Sequence, residues 1–317
     1  MFAVSVIICS HNPRENYLRR VLDALKAQTL PANDWELLLV DNASTEPLAK
    51  RFDLSWHPNA RHVREETLGL TPARLRGIAE SKGALLVFVD DDNVLRADYL
   101  RASLKVGEDY PQLGAWGGSC LPEFEVEPPA ELRPWLAGLL VEKLNEPVWA
   151  KLPRGGPALP AGAGMAVRRN VAVRYREEVL RDPMRQMLGR RGKNLAAGED
   201  SDMALCGFAL GLGAGRFPEL ELTHLIPARR VTLEYLEGIH EGFGYSGVIL
   251  AAIHDRDARA SGRLGTTALK LFVRRIKWLA MGKSRAERRI RLAEERGRLA
   301  ARRELQRSGY LKTNPQP

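Results

Sequence analysis

Through the first 120 residues, short apolar and β-branched runs alternate with amphipathic helical stretches, which restricts the chain to an α/β fold with a mostly parallel sheet covered on both faces. Val4 to Cys9 is a run of the kind buried on both sides of a sheet. Asn12, Pro13 and Glu15 read as a helix start, with an Asn N-cap, Pro at the first position and Glu closing a capping box. Leu18, Val21, Leu22 and Leu25 then give that helix one apolar face. A second strand, Trp35 to Val40, runs into Asp41. Thr71 and Pro72 open another helix, which carries Leu75 and Ile78 and should end at Gly83. The strand Ala84 to Val89 follows and stops at Asp90-Asp91-Asp92-Asn93, and Leu113 to Gly118 reads as a further strand. After Cys120 the rhythm breaks into Pro-rich irregular chain, with Pro147 to Pro160 again rich in Pro and Gly. Gly164 to Arg168 is strand-like, Tyr175 opens a helical stretch, and from Val231 onward the chain reads as mostly helical.

Charge is unevenly placed. Of the net +9, residues Arg263 to Lys312 hold 16 Lys/Arg against 4 Asp/Glu, so the body is nearly neutral and is not built as a whole for nucleic acid. The tail offers only Phe272, Trp278 and Tyr310 as aromatic platforms and no reading motif, so no nucleic acid is expected as partner. Leu269, Phe272, Val273, Ile276 and Leu279 recur at helical spacing, with Lys270, Arg274 and Lys277 on other faces. This is either a helix packed on the main domain or one lying on an anionic membrane surface, with residues 264–310 as the contact. Cys9, Cys120 and Cys206 are scattered without metal spacing, as in a reduced cytoplasmic setting. No apolar run approaches the roughly 18–20 residues that span a bilayer. The opening lacks the positive n-region of a signal peptide, so a cytoplasmic protein, peripheral at the inner face of the membrane at most, is expected.

Parallel sheets bind ligands at the carboxyl ends of their strands. Asp90 and Asp92, at i and i+2 of an extended segment, would point the same way and could both reach one Mg²⁺ or Mn²⁺ ion bridging to a diphosphate. Asp41, ending its strand, could accept from a nucleobase N–H or a ribose hydroxyl, or simply start a turn. Glu199 and Asp200 open a segment whose Met203, Cys206 and Leu210 have helical spacing. They are either partners of the helix dipole or, facing a cleft, candidates for the general base that deprotonates a sugar hydroxyl.

In this order VSVIICSHN, LLVDNAS, LGLTPARLRGIAESKGALLVFVDDDN, GAGMAVRR and GED resemble the motif set of family 2 glycosyltransferases over roughly residues 3 to 245. The resemblance implies the GT-A fold, a Rossmann-like α/β domain, and inversion at the anomeric carbon. It implies a catalytic domain over 1–245, with a nucleotide-sugar half (1–120) and an acceptor half (121–245), and a helical basic extension over 246–317. Carried onto this sequence, it places Ser10 and His11 against the nucleoside and Asp41 on the base. Asp90, Asp91 and Asp92 match the family's D-x-D element at the diphosphate, with Asp90 and Asp92 as ligands of Mn²⁺ or Mg²⁺. Asp200 matches the general base with Glu199 beside it, His224 a third metal ligand, and Arg229 and Arg230 residues closing over the phosphates. No Q-x-x-R-W motif is present, which points to transfer of one sugar instead of polymerisation. The expected reaction moves a sugar from a nucleotide-diphosphate donor, a UDP-sugar first, to a glycan or lipid-linked glycan of the cell envelope. The rival readings are a sugar-nucleotide nucleotidyltransferase, which would need a Gly-rich basic loop where SHNPRENY stands, and a non-enzymatic nucleic-acid- or membrane-binding protein.

Overall fold

Val4–Ser10 (β1), Trp35–Asn42 (β2), Ala60–Glu65 (β3) and Leu85–Val89 (β4) form a wholly parallel half-sheet in the order β3-β2-β1-β4, as alternating strand and helix signals require. Asn93–Leu95 (β5), Leu113–Phe124 (β6), Val148–Ala150 (β7), Ala166–Arg168 (β8) and Gly213–Ile226 (β9) extend it. β8 joins β4 to β6, antiparallel to both. β9 runs parallel to β6 and takes β5 and β7 as antiparallel partners, completing a nine-stranded sheet. The α-helices described are Glu15–Lys26 (α1), Leu70–Glu80 (α2), Tyr99–Asp109 (α3), Arg169–Arg181 (α4), Pro183–Gln186 (α5), Glu199–Phe208 (α6), Leu233–His254 (α7) and Arg285–Arg307 (α8). This computed structural model describes residues 2–151, 156–190, 192, 195–255, 273, 274, 276–278 and 283–310.

The chain divides into two compact units: Met1–Glu125, Leu140–Leu180 and Asp200–Ile226 in the first, and Val126–Leu139, Arg181–Glu199 and Pro227–Pro317 in the second. Strand β6 continues to Phe124, and α7 runs unbroken through position 245.

In the first unit the period of two along each strand sorts side chains onto two faces. Val4, Val6 and Ile8 of β1 join Leu18, Val21, Leu22 and Leu25 of α1 in one core, while Ile7 joins Ile78 of α2 and Val171 and Tyr175 of α4 in the other. Burying each such Leu or Ile contributes about 1.5–3 kcal/mol. Helix α2 lies close on β1 because Gly77 has no side chain: a Cβ there would stand 2.5 Å from Ile7 Cγ2.

Helix α1 begins at Glu15, later than its sequence suggests, and its N-cap Arg14 makes no side-chain cap bond. Asn12 instead takes φ 48° and binds the loop after β2, its amide donating to Ser44 Oγ (3.0 Å) and its Oδ1 accepting from Thr45 N (2.9 Å). That loop supplies the partners that a helix end would otherwise have given.

In the second unit α7 and α8 lie against each other. A Cβ on Gly244 would fall 2.0 Å from Glu294 O, and one on Gly297 would fall 1.9 Å from Glu241 O. Arg289 pairs with Glu237 (2.6 Å) and Arg296 with Glu241 (2.9 Å) along this seam. Beyond it, Val248, Ile249, Ala301 and Leu305 share a core with Leu188.

Candidate active site at the strand ends

The three consecutive acids after β4 do not continue as extended chain. Asn93 N donates to Asp90 O (3.1 Å), closing a turn that sends each carboxylate to a different neighbour. Asp90, half-exposed, lies 3.7 Å from Arg74 Nη2. Asp91 Oδ2 accepts from Ser10 Oγ at 2.5 Å, tying the turn to the end of β1. Asp92 is only 6% exposed and its Oδ2 stands 3.7 Å from His224 Nε2. The meeting of these last two follows from register: β5 starts directly after the turn and sets Asn93 opposite His224 on β9, while Leu225 N donates to Asp92 O (2.8 Å). Negative charge from Asp90 and Asp92 reaches Cys120, whose thiol is pushed up to about 12 by burial first and by these two acids second. That sulfur is therefore protonated and unreactive at neutral pH.

Asp200, in the first turn of α6, has both oxygens engaged by backbone: Oδ2 accepts from Gly162 N (2.8 Å) and Oδ1 from Ser201 N (2.7 Å). Glu199 is buried, and its Oε2 accepts from Gly198 N at 3.1 Å. Gly162 opens a short turn before β8: Met165 N donates to Gly162 O, and Met165 O accepts from Phe88 N of β4 (2.9 Å). Tyr99 Oη donates to Gly164 O (2.8 Å) beside it.

Arg74 joins the two groups of acids and is a residue that sequence reasoning missed. Its side chain is 3% exposed, lies 5.4 Å from the centroid of the Phe88 ring, and reaches Asp90 at one edge and Gly162 at another. The signal was present: Arg74 sits on the buried stripe of α2 with Thr71, Gly77 and Ile78, where a solvated arginine does not belong.

Asp41 stands at the end of β2 with its carboxylate turned into its own loop. Oδ1 accepts from Ser44 N (3.0 Å), and Oδ2 accepts from Leu48 N (3.0 Å) and Arg64 Nη1 (2.8 Å). Burial alone would raise its pKa, but the bonds from Leu48, Ser44 and Arg64 outweigh it and hold the carboxyl below its ordinary value. His11 Nδ1 donates to Asn42 O (2.8 Å), so the His11 ring edges the same loop. Arg229 is exposed, in a short 3₁₀ turn, Ala228–Val231, of the second unit, and Arg230 follows it there.

Among the described residues no group of three or more His, Cys, Asp and Glu could by itself hold a metal ion. Near the turn the buried Asp92 carboxylate stands beside the His224 nitrogen, and Asp90 lies two residues earlier, toward Arg74. Mg²⁺ and Mn²⁺ take one or two carboxylates and complete their shell with water and phosphate oxygens. A groove of about 650 Å³ lined by Lys50, Arg51, His57, Arg61 and His62, among others, lies where the chain enters β3 and contains none of these acids.

Residues 5–123 match the family described as Glycosyl transferase family 2. Glycosyltransferase AglE of Haloferax volcanii is 38% identical over 92 residues, which are 28% of this chain and 30% of that protein. Glycosyltransferase GlyA of Streptococcus pneumoniae is 31% identical over 110 residues, 34% of this chain and 15% of that protein. The chain thus spans less than a third of the length of either relative. The crystal structure of S. aureus TarS 1-349 is similar over 98% of this chain and 92% of that one, with a TM-score of 0.50 at 12% identity, a likeness of fold. The turn after β4 and its bond to the end of β1 lie inside the segment that matches the family 2 glycosyltransferases, and the fold is of the GT-A type.

Proposed function

We propose that the chain is an inverting glycosyltransferase that moves one sugar from a nucleotide-diphosphate donor, a UDP-sugar first among them, to a hydroxyl of a glycan or lipid-linked glycan. The observation that carries this reading is the convergence of Asp90, Asp91, Asp92, His224 and Arg74 around one turn, with Asp200 linked to the same place through Gly162. In this reading Asp90, Asp92 and His224 would hold a Mg²⁺ or Mn²⁺ ion together with water and the donor's phosphate oxygens, and the ion would supply charge neutralisation for the departing diphosphate. Ser10 and His11 face the nucleoside, Asp41 shapes the loop against which the base rests, and Arg229 closes on the phosphates. Asp200 takes the proton from the acceptor hydroxyl as that oxygen attacks the anomeric carbon opposite the leaving group. Glu199 stands beside it as the alternative base. No covalent intermediate forms, so each turnover inverts configuration once. A donor screen tests the reading: several nucleotide sugars are incubated with and without Mn²⁺ and followed by thermal stabilisation and slow hydrolysis. Metal-dependent stabilisation by one donor class supports it, and indifference to every nucleotide sugar rejects it.

The acceptor side is read from charge. Among the described residues no helix is long and apolar enough to cross a membrane. Much of segment 264–310 lies outside the described residues, but Val273 and Ile276 are about half exposed, next to Arg274 and Lys277. Two apolar side chains beside cations suit the headgroup boundary of an anionic leaflet, where a lipid-linked acceptor would lie. The enzyme would then act in the cytoplasm at the inner face of the membrane, in the assembly of envelope glycans.

A further inference from the structure

The geometry points to Gly162 as a positioning residue that couples Asp200 to the Arg74–Asp90 pair, so that one peptide sets the distance between proton removal and the diphosphate end. The inference rests on the functional reading above and adds to it a residue outside the predicted site. Two independent contacts meet at Gly162. Its N–H is the bond to Asp200 Oδ2 at 2.8 Å. Its Cα faces the guanidinium of Arg74 so closely that a Cβ would stand 2.4 Å from Nη2, 3.1 Å from Nη1 and 3.2 Å from Cζ. All three of these guanidinium atoms lie against the glycine, so the fork rests on the place where any other residue carries a side chain.

Glycine is required here for space and not for backbone conformation. Gly162 is absent from the residues with positive φ, whereas Gly164 two positions on has φ 71°. Alanine can therefore adopt the backbone of residue 162, and what it cannot do is leave Arg74 in place. Arg74 has little room to yield: its side chain is 3% exposed, with Phe88 near one side and Asp90 beyond. The loop has little room either, because Met165 and Gly164 are bonded to Phe88 N and Tyr99 Oη. An added methyl group must push the guanidinium from Asp90, or push the Gly162 peptide from Asp200. Either displacement alters a catalytic geometry that tolerates only about 0.5 Å.

A double-mutant cycle tests the coupling on the full chain with its best donor and Mn²⁺. Gly162→Ala, Arg74→Ala and the double variant are compared for donor Kd by calorimetry, for kcat and for Tm. Gly162→Ala is expected to lower kcat at least ~10-fold and weaken donor binding several-fold with little change in Tm. In the Arg74→Ala background the space is empty, so adding Gly162→Ala should change kcat and Kd less than about twofold. Equal effects in both backgrounds, or an unchanged kcat in Gly162→Ala, overturn the coupling. Should Gly162→Ala fail to fold, Arg74→Ala alone decides: coupling requires that kcat fall together with donor affinity, and a change in affinity alone overturns it. A wild-type chain that neither binds nor turns over any nucleotide sugar overturns the functional reading and this inference with it. An active wild type with additive variants overturns only the inference.

Discussion

A carboxylate that accepts one N–H on each oxygen still has a lone pair on each, and Asp200 is in that position, oriented by Gly162 and Ser201 yet able to take a proton. Asp200→Asn should leave donor affinity within about twofold and lower kcat by at least ~10². A kcat near that of the wild type would move the base to Glu199. Asp92 is buried beside His224, so Asp92→Asn, which keeps shape and removes charge, is a cleaner probe than truncation. It should abolish the Mn²⁺-dependent part of donor binding, and excess EDTA should do the same to the wild type; donor binding indifferent to both rejects the metal assignment. Asp41 leads to a different expectation, since its oxygens hold Ser44, Leu48 and Arg64. Its folded pKa lies below the ordinary carboxyl value, so the stability it contributes is present above about pH 4 and is lost as pH falls toward the lowered value. Asp41→Asn should cost about 1–3 kcal/mol at pH 7 and flatten the acid limb of the stability curve, measured by urea unfolding from pH 7 to pH 3. A variant with unchanged stability and a raised donor KM would return Asp41 to the base.

Strands β1, β2 and β4 are legible in the sequence because strands buried on both faces must be continuous apolar runs. Strand β3, Ala-Arg-His-Val-Arg-Glu, is not, because an edge strand keeps polar residues on its open side. The 14-residue β9 is interrupted by Gly215 and Pro218, so it does not read as one continuous strand. Asp41 and the acids after β4 are legible because they stand at strand ends, a position with meaning of its own. Arg74 and Gly162 escaped because an arginine in a helix reads as solvated and a glycine in a loop reads as flexible. Their roles exist only where helix α2 meets the turn before β8. In the second unit the glycines are again matters of space: Gly297→Leu would drive a side chain into Glu241 O, and the α7–α8 seam would have to part. We expect a loss of about 1–3 kcal/mol, read as a lower urea midpoint; a midpoint equal to the wild type would mean that the two helices are not in contact there.

Several arginines of the basic tail are ion-paired. Within α8, Arg289, Arg291, Arg296 and Arg298 are paired with Glu237, Glu287, Glu241 and Glu294, and Arg274 with Glu295. Membrane contact is therefore best tested without removing α8, whose Ala301 and Leu305 cover Val248 and Ile249. Ile276→Asp with Val273→Asp should reduce co-sedimentation with anionic vesicles at low salt, while the wild type should release them as salt rises. Wild-type protein that ignores anionic vesicles rejects the membrane contact. The sheet has a further consequence, in time instead of space. β6 leaves the ribosome 100 residues before β9, its parallel partner, which also brings His224 to Asp92 and closes over β5 and β7. At roughly 5–20 residues per second, that leaves about 5–20 s in which β5 and one side of β6 wait with open backbone donors and acceptors. The growing chain thus passes through a stage with a finished parallel half-sheet and an exposed seam, and a nascent chain stalled before Gly213 should be the form that chaperones hold.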